Sequence, residues 1–149
     1  MKLSAIILSL FLAVSGFAQN DTSNWFMDLA EAKEFAKSHD NQILMVFAGS
    51  DWCRPCIQFK KDILNSAAFA EFAKEKMAVL YLDFPSKKKN RLSDEQTAHN
   101  ETLASKYNSQ GSFPKIVLTN EEGSVLAEPE FKEQTPEEFI SELNHDFND

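Results

Sequence analysis

The chain has 149 residues, and its 23 Asp and Glu outnumber its 15 Lys and Arg, for a formal charge of −8. So acidic a chain repels polyanions, which argues against nucleic acid and anionic membrane surfaces as partners. A 43% hydrophobic content with 13 Phe excludes disorder, and the length suits one domain with its own core but not two.

The chain opens MKLSAIILSLFLAVSGFAQN. Lys2 is a short basic region, Leu3 to Val14 is almost wholly apolar, and Gly16 and Ala18 are small residues at −3 and −1 of a cleavage point. This is the layout of a secretory signal peptide over residues 1–18, and the apolar run falls short of the roughly 20 residues that span a membrane. The sequence therefore predicts an exported protein, periplasmic or secreted, whose single domain occupies residues 19–149.

Asp28-x-x-Glu31 resembles a capping box, and Leu29, Ala32, Phe35 and Ala36 recur at helical spacing, predicting a helix that ends near His39-Asp40-Asn41. QILMVFA, Gln42 to Ala48, is too short for a helix and apolar throughout, as a strand buried on both faces would be. Helical spacing resumes at Cys53 and runs through Cys56, Ile57, Lys60 and Leu64 to a break at Asn65-Ser66, before AAFAEFAKEK. MAVLYLDF, Met77 to Phe84, is a second buried strand, and Ser93-x-x-Gln96 starts a helix to about Tyr107. KIVLTN and SVLAE flank Glu121-Glu122-Gly123 as a hairpin, and Thr135-Pro136-Glu137-Glu138 begins a last helix. The order α-β-α-β-α-β-β-α predicts a single α/β domain with a central mixed β-sheet flanked by helices.

The chain has two cysteines, both in Trp52-Cys53-Arg54-Pro55-Cys56. As a structural staple so short a loop contributes only about 2 kcal/mol. A zinc site wants further ligands, yet there are no other cysteines and the three His are scattered. Covalent haem attachment needs His after the second Cys, where this chain has Ile57. Redox chemistry fits the spacing better. A cysteine at a helix N-terminus meets unpaired N–H groups and the positive end of the dipole, which stabilise its thiolate. A second cysteine one turn on can close the disulfide and expel a mixed-disulfide partner. Pro55 suits a first helical turn, where no N–H is needed.

These residues, with Phe113-Pro114 before the hairpin, resemble the thioredoxin superfamily, and the strand and helix order agrees from about Trp25 to Phe147. GSDWC and LDFPSKKKN with NETLASKYN resemble, more narrowly, the exported thioredoxin-like reductases and isomerases of bacterial cell envelopes. The resemblance implies a thioredoxin fold and a protein-disulfide oxidoreductase that needs no metal or organic cofactor. It makes Cys53 the exposed attacking thiol and Cys56 the shielded resolving one. It places Trp52 on the contact surface and makes Pro114 a cis-proline against the disulfide. The Phe113 backbone would then be free to pair with an extended substrate. The implied partners are disulfide-containing proteins and a redox partner such as a membrane thiol transporter, with the chain acting as a monomer. The other reading is a thioredoxin-fold binding or chaperone-like module with little redox turnover.

The chain departs from thioredoxin at several places. Arg54 stands where thioredoxin has Gly, the strand Ile43 to Ala48 holds no acid, AVLYL holds no Lys, and Lys115 replaces the Thr after the cis-proline. Arg54, Pro55 and Lys115 are thus the expected redox-tuning residues. The acid-free strand, together with positive charge from Arg54 and Lys115 beside Cys53, predicts a disulfide at about −235 mV, more oxidising than thioredoxin at about −270 mV. Lys87-Lys88-Lys89-Asn90-Arg91 is a basic island in an acidic chain, read either as a solvated loop or as a surface that steers an acidic partner. His39, His99 and His145 are expected in solvent, Met27 and Met77 in the core, and Asp51 as an exposed loop carboxylate.

Overall fold

The computed structural model describes residues 24–146, so the predicted signal segment lies outside the described residues. In chain order the elements are β1 (Trp25–Phe26), α1 (Leu29–His39), β2 (Gln42–Ala48), α2 (Arg54–Phe59) and α3 (Ala67–Lys76), followed by β3 (Met77–Asp83), α4 (Asp94–Tyr107), β4 (Lys115–Thr119), β5 (Val125–Ala127) and α5 (Pro136–Asp146). α2 continues as a π-helical turn over Lys60–Leu64, and Lys88–Asn90 forms a 3₁₀ turn. The strand order is β1-β3-β2-β4-β5, with β1, β3 and β2 parallel and β4 and β5 antiparallel to their neighbours. This is the predicted thioredoxin fold, a mixed sheet flanked by helices.

β2 is the middle strand, which explains its unbroken apolar sequence. Ile43 to Ala48 are all buried, because a strand lies on each side and helices cover both faces. Strand alternation then sorts them. Leu44, Val46 and Ala48 face a core shared with Cys56, Phe59, Phe69 and Phe139 of α2, α3 and α5. Ile43, Met45 and Phe47 face a second core closed by Ala32 and Ala36 of α1 and by Leu103 and Tyr107 of α4.

The helix ends follow local chemistry. Asp28 Oδ1 accepts the Ala30 and Glu31 N–H groups at 2.8 and 3.0 Å, and α1 stops at Asp40 in the left-handed region, φ 55°. The expected break at Asn65-Ser66 is the start of α3, where Ser66 Oγ accepts the Phe69 N–H at 3.1 Å. Thr135 and Glu138 form a full capping box, each accepting the other's N–H, at 3.2 and 2.8 Å. Ser93 caps α4 through the Gln96 N–H at 3.1 Å, but the Gln96 side chain donates to the Met27 carbonyl and Asn100 Oδ1 instead of folding back.

Three sequence expectations need correction. The helix-first order misses β1, whose two residues are too few to show an alternation. Long-range bonds define it instead. The Val79 N–H donates to the Asn24 carbonyl at 2.8 Å, and Asn24 Nδ2 donates to the Met77 carbonyl at 2.9 Å. Met27 is 61% exposed, because its carbonyl, not its side chain, makes the contact to α4. His99 is half-buried, its Nε2 accepting the Leu29 N–H at 3.2 Å and lying 3.4 Å from Asp28 Oδ2.

Candidate active site

The redox motif sits on the turn that leaves the middle strand. After Ala48 the chain reverses tightly, with the Cys53 N–H donating to the Gly49 carbonyl at 2.9 Å. Ser50 anchors the turn to the end of β3 through its N–H and hydroxyl, which donate to the Asp83 carboxylate at 2.9 and 2.6 Å. Cys53 is thereby the N-cap of α2, its Sγ accepting the Cys56 N–H at 3.3 Å. The two sulfurs form a disulfide across Cα atoms 5.3 Å apart. Cys56 is 1% exposed and Cys53 5%, so both are buried in the disulfide form and Cys53 is not the open thiol expected. In the oxidised state both residues join the core cluster of α2, against which Phe113 packs.

An aromatic wall borders the disulfide. Trp52 is half exposed, and its Nε1 donates to the Phe84 carbonyl at 2.7 Å. Phe113 meets Trp52 and Phe84 edge-on, with ring centroids 5.3 and 5.4 Å away, and the Phe113–Pro114 peptide is cis. Residues 52, 84 and 113 thus converge from three segments. Phe84 is absent from the sequence-derived site. The available signal was its place at the C-terminal end of a buried strand, beside the strand that leads into the motif.

The indole lies over Gly49. A Cβ there would be 2.3 Å from Trp52 Cε2, so any larger residue displaces the ring. Gly49→Ala should lose the indole hydrogen bond, about 1 kcal/mol, and an edge-on contact of about 1 kcal/mol. The expected result is a destabilisation of roughly 2 kcal/mol with a shifted tryptophan emission. Unchanged emission and unfolding midpoint would show that the indole is not held as described.

Asp51 is not a free loop carboxylate. Its oxygens accept the Ser86 and Lys87 N–H groups at 2.8 and 3.0 Å and Asn90 Nδ2 at 2.8 Å. The Ser86 N–H holds its carboxyl below the ordinary value, opposed by desolvation and reinforced by Asn90 and Lys87. The partners lie 35 to 39 residues away, which no local pattern reveals.

Of the expected redox-tuning residues, Arg54 and Pro55 lie in the first turn of α2, exposed beside the disulfide. Lys115 does not join them. On β4, Ile116 faces the cysteine cluster and Val117 the opposite core, so alternation puts Lys115 on the far side of the sheet from the sulfurs. There Lys115 Nζ pairs with Glu128 Oε2 at 2.6 Å. On the cysteine side, Tyr81 adds no charge at neutral pH, since burial, and then Asp83, pushes its hydroxyl up to about 12.

A model of the thioredoxin-like family matches residues 24–120, most of the described chain. The chain belongs to the thioredoxin-like family. Its relatives agree. The disulfide bond reductase DsbH of Chlamydia pneumoniae is 35% identical over 114 residues, 76% of this chain and 67% of that protein. The thioredoxin-related protein DsbJ of the same organism is 28% identical over 147 residues, 96% of this chain but only 41% of DsbJ. Among solved structures, a DsbH oxidoreductase superposes with a TM-score of 0.75 at 30% identity, covering 96% of this chain and 94% of that one. This thioredoxin-like chain, with its cysteines joined at Cys-x-x-Cys, is a protein-disulfide oxidoreductase.

Proposed function

We propose that the protein is an exported reductase of protein disulfides in which Cys53 attacks and Cys56 resolves. The observation that carries this reading is the Cys53–Cys56 disulfide at the start of α2, bordered by the half-exposed Trp52. In the reduced protein, the Cys53 thiolate attacks one sulfur of a substrate disulfide, and the other substrate sulfur leaves as a thiolate. Cys56, once deprotonated, attacks Cys53 Sγ and releases the second substrate thiolate. Two electrons have then passed to the substrate, and the protein is left in the disulfide form. A donor dithiol, such as that of a membrane thiol transporter, reverses the exchange. The chemistry runs on sulfur alone, without metal or organic cofactor, and the chain acts as a monomer.

Trp52, Phe113 and Pro114 form the surface on which an extended substrate lies. Main-chain pairing at Phe113 would read backbone more than side chains, which suits many substrates. Arg54 and Pro55 tune the start of the helix. Residues 1–18 direct export, and the intact mass of the exported protein should correspond to a chain beginning at Gln19.

Insulin reduction by dithiothreitol tests the activity. Catalytic amounts of the protein should accelerate precipitation of the insulin B chain. No acceleration over dithiothreitol alone would favour a thioredoxin-fold binding module.

A further inference from the structure

We propose that the groove between the basic loop Lys87–Arg91 and α4, which reaches the aromatic wall at Phe84, docks an acidic, extended segment next to the disulfide of a protein substrate. This rests on the reading of the chain as a reductase. The groove encloses about 380 Å³. Its half-buried residues Phe84, Pro85 and Leu92 are apolar, and its exposed residues Lys87, Lys88 and Arg91 are basic.

Two residues join this groove to the redox site. Phe84 belongs to both, since its carbonyl holds the Trp52 indole and its ring meets Phe113. Asp51, the neighbour of Trp52, binds Ser86, Lys87 and Asn90, so the basic loop is tied to the loop that carries Cys53. A chain crossing Trp52 and Phe113 would therefore pass over Phe84 into the groove.

Charge selects the occupant. Arg91 is paired with Asp94 at 3.2 Å, but no ammonium of Lys87, Lys88 or Lys89 lies within 4.0 Å of a carboxylate among the described residues. On a molecule of net charge −8 these three cations form a local positive field. Two carboxylates also line the groove. Asp83 is occupied by Ser50 and the Phe84 N–H. Asp51 beside the loop is occupied by the Ser86 and Lys87 N–H groups and Asn90, while offsetting part of the Lys87 charge. That leaves Glu101 as the exposed lining acid to oppose the lysines. Asp and Glu side chains meet unpaired ammonium groups here, whereas elsewhere the acidic surface repels them.

The test uses two peptides with the same disulfide, one flanked by Asp and Glu and its twin by Ser. At low salt the reduced protein should reduce the acidic peptide about tenfold faster than its twin, the modest end of electrostatic steering. The ratio should fall towards one at about 1 M salt, where the screening length is about 3 Å. It should also fall towards one in a Lys87→Gln/Lys88→Gln/Lys89→Gln variant and drop below one when the same lysines become Glu.

Binding of both peptides to a Cys53→Ser/Cys56→Ser form, read by fluorescence anisotropy, tests docking without turnover. A binding preference for the acidic peptide with no reduction of either would uphold docking and sink the reductase reading. Equal binding and equal reduction of the two peptides, or a preference that survives loss of the lysines, overturns the proposal. So does sedimentation of the protein with phosphatidylglycerol vesicles through these lysines without any peptide preference, which would assign the loop to a lipid surface.

Discussion

Replacing Cys56 by Ser should leave the protein covalently attached to its substrates, while Cys53→Ser should leave it attached to none. Exchange passes through a mixed disulfide on the attacking sulfur, and its lifetime depends on how fast a second thiol displaces the substrate. Cys56 is the candidate for that displacement: its sulfur reaches Cys53 Sγ, as their disulfide shows, and the chain has no third cysteine to replace it. Serine keeps the shape of Cys56 at a site that is 1% exposed, so the fold should survive its loss. The oxidised protein gives up only the short loop closure, about 2 kcal/mol. Non-reducing electrophoresis of envelope fractions, followed by mass spectrometry, reads the adducts. Adducts on Cys53→Ser and none on Cys56→Ser would reverse the two roles.

Phe139→Ala should be the most damaging single change away from the cysteines. Phe139 of α5 is fully buried and packs edge-on against Phe59 of α2, centroids 5.3 Å apart, and against Phe69 of α3 at 6.3 Å. Truncating such a ring removes its transfer free energy and leaves a cavity, at a cost of about 3–5 kcal/mol. A domain of this size is stable by only about 5–15 kcal/mol, so this is a large share of the total. The expected fall in Tm is roughly 10–20 °C. The damage should reach the chemistry, because Phe59 lies three residues beyond Cys56 on the same helix. Urea unfolding with wild type in parallel measures the loss. A change below about 1 kcal/mol would mean that α5 is not a load on the cysteine helix.

What the sequence made legible was local, and what it hid was long-range. The bounds of β2 could be read from QILMVFA, because a central strand has no solvent face to interrupt the apolar run. The caps at Asp28, Ser93 and Thr135 could be read because each closes within three residues. Asp51 was hidden because its partners enter from a loop 35 or more residues away. Phe84 was hidden for the same reason, since only the folded sheet brings it to Trp52. Lys115 misled for a different reason. It follows Pro114 in sequence, but once the chain becomes a strand, neighbouring residues point to opposite faces, and Glu128 receives it on the far one.

That correction bears on redox poise. With Lys115 paired across the sheet and Arg54 exposed to water, little extra positive charge reaches the Cys53 thiolate. The Lys115 share of the oxidising shift predicted from the sequence loses its support, so the couple is expected nearer the thioredoxin-like, reducing end. Equilibration of the Cys53–Cys56 pair against dithiothreitol and glutathione buffers at pH 7, with the dithiol fraction read by alkylation and intact mass, measures this directly. A reductase should titrate near about −270 mV, and a value towards about −120 mV, the range of a dedicated oxidant, would contradict it.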